Sequence, residues 1–330
     1  MGLSNEAEVD QLLDLEPRNI DALVCKGDYR SAAGDERAAT AFYKAALAAA
    51  QAMGSLPLSL KPAIDHALAG VKRAEALFLA HLESSLVVAG FGPDSRPPRF
   101  QHAIDLMLGR AEARLSLQRP TGFYYPGLEE RRYYAPSDFP WAAQIEQTVP
   151  AILAELSTAT AAGNDRFSPY LVSDSTRPRT DFHGLRDNPE WSTLQLWEKG
   201  QASALAAHFP TTLAATKATD LPRISVRAPN ILFSKLKVGA RIPPHHGMLN
   251  ARLICHLPLI VPPGCGFRVG GETRAWEEGK LLIFDDTIEH EAWNDGTEER
   301  VILIFDVWHP DLDGAERGAI SAMFEAIDAY

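Results

Sequence analysis

Cysteine is scarce in this chain of 330 residues, which contains only three. Cys25, Cys255 and Cys265 lack the paired spacing of a disulfide framework or a zinc ribbon, and an odd number is typical of a reducing compartment. A bridge between Cys255 and Cys265 is the minor alternative. The sequence also lacks an apolar run of roughly 18 residues and a basic N-terminal segment followed by an apolar core. These absences favour a cytoplasmic protein without a membrane span.

Basic residues are outnumbered by acidic ones, 32 against 43, which gives a net charge of −11. A surface of that sign repels phosphate backbones and anionic lipids. We therefore expect no non-specific nucleic-acid partner. Hydrophobic residues make up 46% of the chain, which is enough for a large core and for one or two domains.

The first third of the chain has the spacing of helices. Between residue 6 and about residue 52, small and large residues occupy the positions of a tetratricopeptide helix pair: Ala22, Leu23, Gly27, Gly34, Ala39, Tyr43, Ala46 and Leu47. Because about three repeats are needed for a self-standing array, we expect this unit to pack on further helices at 63–88 and 100–117, or to bind a protein partner. An irregular segment at 119–141 follows. We predict a tetratricopeptide-like domain over 1–118 and a second domain over 119–330.

The second domain is predicted to begin with a helix at 142–162, kinked at Pro150, and to continue with strands. Strand-like pieces occur around 192–199, 223–228 and 230–236. Farther on, alternating apolar and polar residues lead to a turn at 294–296, and an apolar run from Val301 to Val307 follows. This pattern is typical of a β-hairpin that enters a buried sheet. Helices first and strands afterwards indicate an α+β chain with an antiparallel β core.

Two histidines and an arginine in this β core suggest a catalytic metal site. His245 precedes one predicted strand and His290 lies within another, 45 positions later, so a sheet must bring them together. A lone strand histidine is usually a core or surface residue, and Arg300 has the alternative of a solvated hairpin residue. Two neutral imidazoles nevertheless suit Fe(II), and an arginine beside them can bind a carboxylate. This is the arrangement of an iron- and 2-oxoglutarate-dependent oxygenase, except that Gly247 stands where the usual carboxylate ligand would be.

The segments around these residues resemble the aspartyl/asparaginyl β-hydroxylase family from about 119 to 310. The resemblance rests on His245, Gly247, Asn250, Arg252, His256, Trp276, GK at 279–280, IFDD at 283–286, EHE at 289–291 and DVWHP at 306–310. It implies a double-stranded β-helix of the jelly-roll or cupin type. It also implies that glycine at 247 is normal, with water completing the coordination of Fe(II) by His245 and His290. An aspartate at 247 would then add a third protein ligand.

The resemblance also implies how the cosubstrate binds. Arg300 would anchor the far carboxylate of 2-oxoglutarate, and Ser234 and His256 would make further contacts, since a hydroxyl and an imidazole can each donate to a carboxylate. His246 is a second candidate ligand beside His245. Neighbouring strand residues point to opposite faces, so only one of the two should reach the metal, and the family pattern favours His245.

Two further residues have divided interpretations. Arg252 is assigned to the site, because a buried arginine needs an acidic partner, although a structural role is the alternative. Asp286 either orders a metal-bound water or, with Asp285, caps the turn before His290. One departure from the family affects specificity: a second arginine usually follows Arg252 two positions later, and this chain has Ile254 there.

The function implied by the resemblance is that of a dioxygenase that uses Fe(II), 2-oxoglutarate and O2 to hydroxylate an unactivated carbon. No side chain is needed as acid or base for the hydrogen abstraction. The first expected substrate is Cβ of an aspartyl or asparaginyl residue in a peptide, a protein or a small metabolite that carries a carboxylate or amide group. The alternatives are a free amino acid, a carrier-bound residue, a lipid acyl chain, or no catalysis at all in a metal-binding scaffold protein that works through its helical repeats.

Overall fold

A computed structural model describes residues 5–111, 117–161, 166–173, 176, 182–225 and 227–330. The chain divides into two compact units. The helical unit comprises Met1–Ser84, Val172–Phe182 and Tyr330, and the β unit comprises Ser85–Leu171 and His183–Ala329. The division thus falls between residues 84 and 85, within a helix. A domain boundary near residue 118 stays a prediction.

The helical unit contains α1 (Glu6–Leu15), α2 (Ile20–Ala32), α3 (Glu36–Gln51) and most of α4 (Lys61–Val88). Three of these helices begin at a side chain that accepts a backbone N–H three residues later, which is the usual N-cap: Asn5, Asn19 and Asp35. Tyr43 on α3 is buried against Gly27 and Gly70, where an added Cβ would lie 2.5 and 2.6 Å from its ring. The predicted helical N-terminal region is confirmed, and its tetratricopeptide-like character stays a prediction.

The β unit contains five helices among its described residues: α5 (Pro98–Met107), α6 (Ala142–Gln147), α7 (Val149–Thr160), α8 (Pro210–Lys217) and α9 (Gly314–Asp328). Its strands are β1 (Tyr133–Tyr134), β2 (Ser168–Pro169), β3 (Trp191–Glu198), β4 (Gln201–Ala202), β5 (Ile231–Leu236), β6 (Arg241–His245), β7 (Arg252–Ile260), β8 (Cys265–Val269), β9 (Glu272–Arg274), β10 (Leu282–Phe284), β11 (His290–Asn294) and β12 (Arg300–Trp308).

Three local expectations differ from these bounds. The predicted helix at 142–162 is two helices, because Pro150 in the first turn of α7 cannot donate the backbone bond that would continue α6. The predicted helix at 100–117 ends at Met107, and residues 112–116 and 162 lie outside the described residues. The predicted strand at 223–228 is an isolated bridge between Ile224 and Ala228.

Two antiparallel sheets form the β core. The larger has the order β1-β10-β7-β12-β5-β3-β2, with β4 beside β3, and the smaller has the order β6-β11-β8-β9. From β5 to β12 the chain passes back and forth between them: β5, β7, β10 and β12 lie in the larger sheet, and β6, β8, β9 and β11 lie in the smaller one. This winding is that of a double-stranded β-helix, so the predicted α+β fold class is confirmed.

The larger sheet has one apolar face and one face that carries the candidate site residues. Leu253, Cys255 and Leu257 of β7 belong to a buried cluster that also contains residues of α6, α7 and α8. Since strand side chains alternate between faces, Arg252, Ile254 and His256 lie on the opposite face. All three cysteines are free, so the alternative of a Cys255–Cys265 bridge is not formed.

Candidate active site

His245 and His290 lie side by side in the smaller sheet. His245 ends β6, His290 begins β11, and the two are direct partners in the strand register, with their ring centroids 4.0 Å apart. It is therefore His245, rather than its neighbour His246, that pairs with His290. The sheet brings together two side chains that are 45 positions apart in the sequence.

Both imidazoles are held in the form that can bind a metal. Nδ1 of His245 lies 2.8 Å from the Pro243 carbonyl oxygen, and Nδ1 of His290 lies 3.0 Å from that of Ile288. An Nδ1–H that donates to a carbonyl leaves the lone pair on Nε2. Burial lowers the pKa of both rings, that of His290 to about 3. The two rings are therefore neutral at physiological pH.

Gly247 faces the carboxylate of Asp286 at very short range. Its backbone N–H donates to the Asp286 carbonyl oxygen at 2.6 Å, and a Cβ at position 247 would lie 2.2 Å from Asp286 Cγ. No side chain fits there while Asp286 keeps its place. The expectation that an aspartate at 247 would add a third ligand is therefore wrong for this backbone, because Asp286 already occupies the space.

Asp286 is buried, and only one of its two carboxylate oxygens has a hydrogen-bond partner among the described residues. Its Oδ2 accepts a hydrogen bond from Arg252 Nη2 at 3.1 Å, whereas its Oδ1 has no hydrogen-bond partner among the described residues. Burial raises the pKa of this carboxyl, and the charge of Arg252 opposes that effect. Two neutral imidazoles beside a buried carboxylate oxygen fit a divalent cation whose remaining positions are filled by water. Within the described part of the chain, no group of three or more His, Cys, Asp or Glu side chains is placed to hold a metal ion.

Arg300 is 1% exposed at the start of β12, so the alternative of a solvated hairpin residue is excluded. Its Nη2 donates to Ser234 Oγ at 3.3 Å, and its guanidinium carbon lies 5.1 Å from the ring centroid of Trp276. No described carboxylate forms an ion pair with it, and its Nε has no partner among the described residues. Burial lowers the pKa of Arg300 to about 10, so it stays charged at neutral pH. A buried cation in this condition is a ready site for an anion.

Ser234 and His256 lie on the same side of the larger sheet as Arg300. Ser234 Oγ accepts from both Arg300 Nη2 and Trp191 Nε1, the latter at 3.2 Å, and a hydroxyl that accepts twice presents its own proton as a donor. His256 Nδ1 accepts from Trp276 Nε1 at 3.4 Å. Burial and then the charge of Arg300 lower the pKa of His256 well below its ordinary value. Ser234, His256 and Arg300 together form a group of donors suited to a carboxylate.

Arg252 is held between two carboxylates, Asp286 at 3.1 Å and Asp306 at 4.0 Å. Its role towards a substrate or cosubstrate stays a prediction, and its contacts show that it orients Asp286. Ile254 lies two residues along β7 on the same face, and its register partners are Phe284 and Asp306. The side chain between Arg252 and His256 is therefore apolar.

Sequence reasoning missed Trp191 and Gln118. Trp191 hydrogen-bonds Ser234, and its ring centroid lies 6.5 Å from that of His245. Gln118 is fully buried and donates from Nε2 to Asp285 Oδ2 at 2.5 Å. The predicted strand beginning near Trp191 was a usable signal for the first residue. The second pairing spans 167 positions, and no local pattern predicts it.

The histidine pair in one sheet and the buried arginine in the other define a double-stranded β-helix protein with a candidate metal site. Residues 146–310 match the family model for aspartyl/asparaginyl β-hydroxylase. The chain belongs to this family, as the sequence resemblance indicated.

Several relatives match at the sequence level. The chain is 32% identical to an ornithine lipid ester-linked acyl 2-hydroxylase of Rhizobium tropici over 69% of this chain and 76% of that protein. It is 39% identical to the aspartyl/asparaginyl beta-hydroxylase of Mus musculus over 42% of this chain, but that match spans only 19% of the mouse protein. Among solved structures, the cupin domain of Schizosaccharomyces pombe Cnp3 aligns with 36% of this chain at 8% identity and a TM-score of 0.25.

Proposed function

We propose that this chain is an Fe(II)- and 2-oxoglutarate-dependent dioxygenase that hydroxylates an unactivated carbon. The observation that carries the proposal is a pair of sites on the two sheets. One is the neutral pair His245 and His290, and the other is buried Arg300, which has no acidic partner among the described residues. Metal binding at the first and carboxylate binding at the second are what a 2-oxoglutarate oxygenase requires. Membership of a hydroxylase family supports the same class of enzyme.

The residues have distinct roles in this proposal. His245 and His290 would hold Fe(II), and Asp286 Oδ1 would accept a hydrogen bond from a water that completes its shell. Arg300, with Ser234 and His256, would bind the far carboxylate of 2-oxoglutarate and orient it. Bound Fe(II) with 2-oxoglutarate and O2 supplies the oxidising chemistry. The chain's own residues position the reactants and exclude water, and none acts as acid or base.

The first candidate substrate is Cβ of an aspartyl or asparaginyl side chain in a peptide, protein or small metabolite. It is supported by the family as a whole. A carboxylate or amide on the substrate would need a polar partner beside the histidine pair, and Arg252, which forms an ion pair with Asp286, is one candidate. Peptide, protein and small-molecule partners remain proposals.

A second candidate is an acyl chain, and a specific observation favours it. The charge of Arg252 is already balanced by Asp286 and Asp306, and the next residue on this face is apolar Ile254 beside Phe284. Such a surface suits a methylene chain better than a second carboxylate. One relative, which matches over 69% of this chain, is named as an ornithine lipid ester-linked acyl 2-hydroxylase. A free amino acid or a carrier-bound residue would be hydroxylated by the same chemistry.

The test is the iron-dependent conversion of 2-oxoglutarate to succinate by the purified chain. We expect turnover with Fe(II), none after chelation, and none in His245→Ala or His290→Ala, while the exposed His208→Ala control keeps wild-type turnover. Stimulation by an aspartyl peptide, its asparaginyl counterpart and a fatty-acyl amide would then separate the two substrate candidates. A folded, metal-loaded chain that never consumes 2-oxoglutarate would favour the scaffold alternative, in which the helical unit binds a protein partner.

A further inference from the structure

A short segment ahead of the family match runs along the turn that follows His245 and the turn that precedes His290. This segment, residues 118–125, is called the strap below. The Arg119 N–H donates to the Thr287 carbonyl at 2.7 Å, the Thr121 N–H to the Gly247 carbonyl at 3.0 Å, and the Phe123 N–H to the Met248 carbonyl at 2.8 Å. The strap therefore bonds to the turn before His290 and to the turn after His245.

Buried side chains reinforce these backbone bonds. Gln118, Asn250 and Asp285 are each fully buried. Gln118 Nε2 donates to Asp285 Oδ2 at 2.5 Å, and Gln118 Oε1 accepts from Asn250 Nδ2 at 2.9 Å. Asn250 also accepts the Tyr125 N–H at 2.6 Å and donates to the Tyr125 carbonyl at 2.8 Å. One glutamine thus ties the residues that follow His245 to those that precede His290.

The geometry of the histidine pair depends on these two turns. Gly247 lies two residues after His245, Asp285 lies five residues before His290, and the turns touch directly through the Gly247 N–H and the Asp286 carbonyl at 2.6 Å. Two protein ligands bind a cation well only when their separation is fixed in advance, and the groups behind the ligands supply that restraint.

We propose that Gln118 is a positioning residue for the metal site, acting through Asp285 and Asn250 on the spacing of His245 and His290. The inference rests on the proposed metal-binding function, and it extends the functional unit at least 28 residues ahead of residue 146, where the family match begins. A merely structural role for Gln118 would lower the stability of the fold and leave the affinity for metal unchanged.

The first test compares Gln118→Met with Thr216→Val in the full chain. Each change replaces a buried polar side chain with an apolar one of similar size, but the Thr216 hydroxyl donates to carbonyls of its own helix, those of Thr212 at 2.9 Å and Leu213 at 3.3 Å. Mn2+ alone is titrated, and the free ion is followed by electron paramagnetic resonance. We expect Gln118→Met to weaken Mn2+ binding about tenfold or more and Thr216→Val to leave it within twofold.

A second pair of variants tests the same inference if Gln118→Met does not fold. A Cβ at exposed Gly122 would lie 3.2 Å from the Met248 carbonyl oxygen, so Gly122→Ala pushes the strap away from the turn after His245. Gly271→Ala is the matched control, because its Cβ would meet nothing within 4 Å. We expect Gly122→Ala to weaken Mn2+ binding by about threefold and Gly271→Ala to have no effect.

The outcomes separate this inference from the proposed function. If the wild-type chain binds Mn2+ and both strap variants bind it within twofold of wild type, the positioning role is overturned and the metal site stands. If the wild-type chain binds no Mn2+, the proposed function fails and the positioning role fails with it. Weaker binding in the strap variants alone, with unchanged control variants, supports the inference.

Discussion

Arg300 is a buried cation without an acidic partner among the described residues. A guanidinium that is 1% exposed loses most of its hydration, and Ser234 Oγ is the one hydrogen-bond acceptor that the described residues offer it. Burial lowers its pKa to about 10, and an acidic neighbour would have the opposite effect. The folded chain therefore stores an unfavourable interaction that a bound carboxylate relieves.

Arg300→Met should therefore weaken 2-oxoglutarate binding while raising or preserving the stability of the fold. Truncating one partner of a buried charge pair costs about 2–5 kcal/mol, which is a loss of affinity of roughly 30-fold or more. Calorimetric titration of the Mn2+-loaded protein measures this, with Arg241→Met as control, because Arg241 is exposed and pairs with Asp295. A change of less than threefold would remove Arg300 from the cosubstrate site.

The sequence did not predict what surrounds Gly247. The sequence indicated that a glycine stands in the place of a ligand, and the missing Cβ is in fact filled by the Asp286 carboxylate. We expect Gly247→Ala to displace Asp286, to lower the midpoint of thermal unfolding by several degrees and to weaken Mn2+ binding, because the pair with Arg252 is disturbed. Gly271→Ala again serves as the control. Tighter Mn2+ binding in Gly247→Ala would contradict this account of the site.

At the level of elements, the sequence predicted where most strands lie, but it did not predict which strands pair with each other. The strands on either side of the turn at 294–296 are β11 and β12, but the predicted hairpin is wrong, because β11 lies in the smaller sheet and β12 in the larger one. The strands expected at 192–199 and 230–236 are β3 and β5, and the fold class followed from them. The helix α9 was missed although its capping box, Asp313 with Glu316, was present in the sequence. The network of Gln118 with Asp285 could not be predicted, because it depends on contacts between distant segments.

The turn at 285–289 should make stability depend on pH. Burial raises the pKa of Asp285 to about 6 from 3.8, despite hydrogen bonds from Thr287 and Gln118 that act the other way. As pH rises from about 4 to about 6, the unfolded chain releases this proton more readily than the folded chain does, so the free energy of unfolding falls. The loss is complete above the folded-state pKa and amounts to at most about 3 kcal/mol.

Asp285→Asn removes this ionisation and with it this part of the pH dependence. Urea unfolding of both proteins at pH 4.5 and pH 7.5 gives the measurement, and the difference between wild type and variant isolates Asp285 from the other buried carboxyls. We expect the wild type to lose up to about 2 kcal/mol more than Asp285→Asn over this range, because about a third of the effect already lies below pH 4.5. Parallel losses in the two proteins would show that Asp285 is already ionised in the acid range.

On the scale of the whole molecule, each proposed site residue lies in the β unit. The β unit also includes α5, whose Arg99 forms an ion pair with buried Glu316 of α9 at 2.6 Å, and Glu316 in turn accepts a hydrogen bond from Tyr125 of the strap at 2.9 Å. Helix α5 is therefore linked through Glu316 to α9 and to the strap. In the described residues, no helix is long and apolar enough to cross a membrane.

Two truncated chains test where the functional unit begins. A chain that starts at Ser85 keeps α5, Gln118 and the strap, and we expect it to bind Mn2+ within threefold of the full chain. A chain that starts at Arg119 follows the boundary predicted from the sequence, but it lacks Gln118 and leaves Glu316 without Arg99. Because it loses both the buried network behind the histidine pair and a buried ion pair, we expect it to unfold at a clearly lower temperature and to bind Mn2+ at least tenfold more weakly. Equal affinity and equal thermal stability in the two chains would place the boundary near residue 118 and would limit α5 to the helical domain.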